Sequence, residues 1–237
     1  MKLRTRFQLL VITVMTAIAI LPGGAFAAKP ASTSTPPYQR AYVQHDCWAK
    51  GTGTCTSAAT ADRSSGRMTG ASNSFARQDS TVTGTAFAFS RGGMTTSVNL
   101  PPKGASSVTF TVDALINSAS AARSNPLQAA YAEVYMFVYA TAGSASCTDC
   151  RVSVHRTIAD SNGGNEFPES VTNQNQTFTF ELKSASGQRL KGSVELYIWL
   201  TQTAWVGYSP DQLLPIEGSA EASGDGILQS VAARFTG

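Results

Sequence analysis

Two stretches of this chain alternate with a period of two residues yet are apolar at both parities. In 131–141 the odd positions are Tyr131, Glu133, Tyr135, Phe137 and Tyr139, and the even ones Ala132, Val134, Met136, Val138 and Ala140. In 194–205 the even positions are Val194, Leu196, Ile198 and Leu200, and the odd ones Glu195, Tyr197, Trp199, Thr201, Thr203 and Trp205. Side chains alternate faces along a β-strand, so each stretch is a strand with an aliphatic face and an aromatic face that carries one glutamate. Two arrangements are open for the rings: they form the core, or they are presented to a ligand.

The other alternating runs have one apolar and one polar face, as in antiparallel sheets with one solvated side. Strands are expected at 81–90, 94–100, 107–117, 129–142, 151–159, 176–183, 192–206 and 226–236. Turn clusters such as Arg91-Gly92-Gly93 and Ser161-Asn162-Gly163-Gly164-Asn165 separate them. On parity, Val108, Phe110, Val112, Ala114 and Ile116 share a core face, as do Phe178, Phe180 and Leu182, and also Ile227, Val231, Ala233 and Phe235. No run of helical period stands out. The expectation is an all-β fold: an antiparallel two-sheet sandwich, jelly-roll-like, of about eight strands.

The N-terminus reads as a signal peptide over 1–27. Lys2, Arg4 and Arg6 precede an apolar run from Phe7 to Leu21, and Ala25-Phe26-Ala27 is an A-x-A cleavage site. The run is shorter than the roughly 20 residues of a spanning helix. Residues 28–38, rich in Pro, Ser and Thr, read as a disordered leader, and 39–237 as a single β-sandwich domain. Removing the three basic residues of the signal from the eighteen in the chain leaves fifteen, against fifteen acidic. A mature chain of zero net charge, without a basic run, excludes nucleic acid and an anionic membrane surface as partners. A secreted monomer is expected.

Four cysteines in an exported chain point to disulfides, with Cys47–Cys55 and Cys147–Cys150 as the local pairings. The alternative for the second pair is zinc, with His155 nearby, but a second well-spaced pair is missing. Asp160 to Glu166 is oxygen-rich and reads as a turn; no metal or cofactor is expected.

Signals for catalysis are sparse. The two histidines are His45, placed in a loop, and His155, on the polar face of its strand; no G-x-S-x-G elbow marks a nucleophile. Glu133 and Glu195, among rings, are the candidate carboxylates of a glycoside hydrolase. Glu195-Leu196-Tyr197-Ile198-Trp199-Leu200 resembles the E-x-x-I-W-L strand that carries a catalytic glutamate in jelly-roll endoglucanases. That family's second glutamate lies far downstream, whereas 42 residues follow Glu195 here, so the likeness stops at six residues. The leading expectation is non-catalytic: a binding module for carbohydrate or cell-surface polysaccharide that uses Tyr135, Tyr139, Tyr197, Trp199 and Trp205 as stacking surfaces. A structural or protein-interaction role at the cell surface is the remaining alternative.

Overall fold

The computed structural model describes residues 32–78, 83–123, 130–142, 150–162, 169–184, 186–207 and 216–237. Residues 1–31, which include the expected signal peptide, and Cys147 lie outside them. Eleven strands follow in order: β1 (Ser32–Ser34), β2 (Arg40–Gly51), β3 (Thr54–Asp62), β4 (Arg67–Gln78), β5 (Gly84–Asn99), β6 (Ser107–Arg123), β7 (Ala130–Ala142), β8 (Arg151–Asn162), β9 (Glu169–Lys183), β10 (Ser193–Val206) and β11 (Ile216–Thr236). They form two antiparallel sheets packed face to face. The first runs β3-β4-β11-β6-β9, with β1 also paired to β11, and the second runs β2-β5-β10-β7-β8. The pairs β4–β11, β5–β10, β6–β9 and β7–β8 fall alternately in the two sheets. That is the winding of a jelly roll, in which a long hairpin is wrapped around a single core.

The described residues hold eleven strands where about eight are expected. Four of them, β1 to β4, lie before residue 79, where Ser, Thr, Ala and Gly dilute the hydrophobic alternation. The leader is the first correction. Ser32–Ser34 pair with Ala233, Ala232 and Val231, and Tyr38 is buried, its hydroxyl donating to the Leu228 carbonyl at 3.1 Å. His45, expected in a loop, sits in β2 opposite Ser90.

The second correction concerns Gly92 and Gly93. They do not make a turn; β5 runs straight through them. A Cβ on Gly92 would lie 2.4 Å from the Thr60 carbonyl oxygen of the facing sheet. Glycine is there because two backbones approach closely, a use of glycine inside strands that resembles a turn signal in sequence.

The third is a matter of parity. Alternation puts Ile227 on the core face with Val231, but the β6–β11 register shifts between Leu228 and Ser230. A bulge adds one residue and swaps the faces on either side of it. Leu228 therefore points inward at 0% exposure and Ile227 outward at 38%. The other assignments stand: Val108, Phe110, Val112, Ala114, Ile116, Phe178, Phe180 and Leu182 are all buried.

Cys47 and Cys55 form a disulfide with a Cα–Cα distance of 5.7 Å. Cys47 is on β2, at the edge of one sheet, and Cys55 on β3, at the edge of the other, so the bridge clamps the sandwich along one open side. Cys150 is also disulfide-bonded. For a separation of eight residues the chain-entropy contribution is about 2–3 kcal/mol. Cys47→Ser with Cys55→Ser is expected to lower the melting temperature by about 5–10 °C. Calorimetry of the double variant against the unmodified protein checks this; an unchanged midpoint would remove the clamp from the account of stability.

Candidate functional site

The two sheets differ on their outer faces. Outward positions of the first are mostly small or polar: Thr56, Asn73 and Glu221 make one cross-strand row, Thr111 and Thr179 part of another. The outer face of the second sheet carries the rings. Its aliphatic side is the core: Val134, Val138, Val194, Leu196, Ile198 and Leu200 are all at 0% exposure. The rings are therefore not the core between the sheets. Branched aliphatic side chains of β7 and β10 fill the space between sheets, and the aromatic side turns outward, half-buried by ring-on-ring packing.

Register lays these rings out in rows across the strands. One row is Trp48–Phe87–Trp205–Tyr131, on β2, β5, β10 and β7. Trp48 is 55% exposed and Trp205 37%. The Trp205 ring lies over Gly207, where a Cβ would come within 2.0 Å of it. A second row is Tyr42–Gly93–Trp199–Phe137–His155, and the next row along adds Tyr197 opposite Tyr139.

Trp199 is the centre of the second group. Its indole covers Gly93: a Cβ there would lie 2.2 Å from Trp199 Cδ1 and 2.7 Å from the Tyr42 ring. Gly93 is thus a seat for the indole. The ring stacks on Phe137 with centroids 5.1 Å apart and planes 23° apart, and on Tyr197 at 6.0 Å and 28°. Tyr42 tilts against it at 6.0 Å. The Arg91 guanidinium lies 5.0 Å from its centroid and 5.4 Å from that of Phe89, and donates to Gln44 Oε1. Each such aromatic pair is worth about 0.5–1.5 kcal/mol beyond area burial, so the rings hold one another in place.

Polar groups among the rings are tied to neighbours. Glu133 accepts from the Thr157 hydroxyl at 2.7 Å, with His155 Nε2 at 3.6 Å; His155 meets the Tyr135 ring edge-on at 4.3 Å. Glu195 accepts from the Tyr197 hydroxyl at 2.9 Å. Burial pushes the Tyr42 phenol up to about 12 and raises that of Tyr135. Tyr197 is raised first by its hydrogen bond to the Glu195 carboxylate. These phenols therefore stay neutral at ordinary pH and keep their hydroxyls as donors.

All five rings singled out in the sequence, Tyr135, Tyr139, Tyr197, Trp199 and Trp205, share this face. Sequence reasoning missed Tyr42, Trp48, Phe87, Phe89 and Arg91. The alternation of Phe87 and Phe89 with Ala86 and Ala88 was a usable signal; in β2 the intervening residues are too mixed to show a face.

Glu133 and Glu195 do not form a catalytic pair. Glu133 lies opposite Thr203, and Glu195 opposite Thr141, so they are offset by eight positions, roughly 27 Å at ~3.4 Å per residue. Glycosidase carboxylates stand about 5–9.5 Å apart. The hydrolase that used this pair is set aside on geometry.

No family model matches the chain, and no curated protein matches it in sequence. Among solved structures, one that resembles it is the carbohydrate-binding module TmCBM61 in complex with β-1,4-galactotriose, with 10% identity and a TM-score of 0.24 over 68% of this chain and 83% of that one. A likeness at that level carries no argument about function.

Proposed function

We propose that this protein is a secreted, non-catalytic module that binds uncharged polysaccharide through the outer face of the β2-β5-β10-β7-β8 sheet. The observation that carries the reading is the concentration of rings on that face, including all three tryptophans of the chain, Trp48, Trp199 and Trp205. Aromatic side chains are large, stiff and apolar in the plane, with polar tips in Tyr and Trp. That combination suits pyranose rings, which offer C–H faces for stacking and hydroxyls at the rim. Arg91, the tyrosine hydroxyls and Thr203 of β10 supply hydrogen-bond partners between the rings. Arg91, Glu133 and Glu195 are engaged with neighbours, and the mature chain is neutral, so an uncharged ligand fits better than a polyanion. Export and the Cys47–Cys55 bridge agree with an extracellular setting.

Because every tryptophan lies on this face, intrinsic fluorescence reads it directly. Titration of the mature protein with soluble glucans, xylans and chitin oligomers is expected to give saturable quenching. Trp199→Ala is expected to weaken binding by about tenfold or more, roughly 1.4 kcal/mol or greater, as for a central aromatic anchor. Quenching unaffected by Trp199→Ala, or no response to any sugar in the panel, would overturn the reading.

A further inference from the structure

Most rings of the outer face fall in two bands, with Phe89 and Tyr135 in the rows between them. Trp48, Phe87, Trp205 and Tyr131 make the first, crossing four strands in one row. Tyr42, Trp199, Phe137, Tyr197 and Tyr139 make the second. On β10 their markers are Trp205 and Trp199, six residues apart, which is roughly 20 Å at ~3.4 Å per residue. The rows between are mainly polar: Asp46–Phe89–Thr203–Glu133 and Gln44–Arg91–Thr201–Tyr135–Thr157. Strands of a sheet are held in register by backbone bonds, so the spacing between bands is built into the scaffold.

We infer that the two bands are two separate footholds for a single extended surface, the exposed face of an insoluble polysaccharide, rather than subsites of one short chain. This rests on the carbohydrate-binding reading above. A disaccharide is too short to reach both bands, whereas an extended polymer surface meets both at once. The second contact is then intramolecular, and affinity for the polymer exceeds that of either band alone, by up to about 10²–10⁴ where geometry lets both engage. The exposures fit: Trp48 at 55% and Trp205 at 37% stand further out than the rings of the second band. They are placed to touch a surface, while the second band is the more densely packed platform.

The test compares two probes on the same variants. Binding of cellobiose and chitobiose is measured by calorimetry, and binding to insoluble cellulose and chitin by depletion. For Trp48→Ala with Trp205→Ala, polymer binding is expected to fall at least about 100-fold, and by at least about tenfold more than disaccharide binding measured by calorimetry on the same variant. Trp48→Ala alone, at an exposed edge-strand position that folding tolerates, is expected to give a partial loss on polymer only. An equal loss on both probes would mean one continuous site, and no loss on polymer would mean that the first band takes no part; either overturns the inference while sugar binding stands. Failure of the unmodified protein to bind any of the four probes would overturn the inference, and the carbohydrate-binding reading with it if the soluble panel also gives no response.

Discussion

Gly93→Val is expected to abolish the Trp199 platform while leaving the strand in place. Valine suits a β-strand, so local propensity does not oppose the change. The obstacle is tertiary: the added Cβ would sit 2.2 Å from Trp199 Cδ1 and 2.7 Å from Tyr42. The indole must lift, and with it go the stacks on Phe137 and Tyr197 and the Arg91 contact. The forced rearrangement costs about 1–3 kcal/mol of stability. Sugar affinity is expected to fall by at least about tenfold, roughly 1.4 kcal/mol, as much as for Trp199→Ala although the tryptophan is still present. Near-UV circular dichroism and sugar titration check this together. A native aromatic spectrum with native affinity would show that the indole does not need its glycine seat.

Gly70→Ala carries the largest expected loss of stability. Gly70, on β4, faces inward, and a Cβ there would lie 1.8 Å from Gln202 Oε1, 2.6 Å from its Cδ and 2.8 Å from Ser90 Oγ. Gln202 is fully buried, accepts a hydrogen bond from Ser90 Oγ at 3.0 Å, and has its backbone carbonyl bonded by Ser72 Oγ at 3.0 Å. Moving the amide away breaks a buried polar cluster as well as overpacking the core, for about 2–4 kcal/mol. Gln202→Ala opens the space that the new methyl needs. The double variant is therefore expected to be more stable than the sum of the two single losses, by about 1–3 kcal/mol. Urea unfolding of the four proteins measures the coupling, and strict additivity would show that the two side chains do not compete for one space.

Both predictions turn on glycines whose sequence context misleads. Arg91-Gly92-Gly93 has the composition of a turn, and Gly70 sits in a Ser/Ala/Gly stretch with no visible face. Each is a glycine because another part of the molecule comes too close for a Cβ. Nothing local records that approach. Ile227 failed for a related reason: parity holds only along an unbroken ladder, and the bulge before Ser230 is set by pairing with β6. Cys47–Cys55, by contrast, was legible as a pair from spacing and the expected export, though its role in joining the edges of opposite sheets was not.

Alternation in 131–141 and 194–205 sufficed to establish the all-β class, both strands, and the grouping of Tyr135, Tyr139, Tyr197, Trp199 and Trp205 on one side, because a strand's period of two is a local property of the backbone. Which side faced water was not local. It depended on the facing sheet, whose inward Val112, Ala114, Ile116 and Leu228 meet the aliphatic side of β7 and β10 within one buried core. The tertiary fold likewise decided that Tyr42, Trp48 and Phe87 from distant segments complete the ring surface, and that Glu133 and Glu195 stand far apart, because register between strands is fixed by pairing across the whole chain and not by the residues of any one strand.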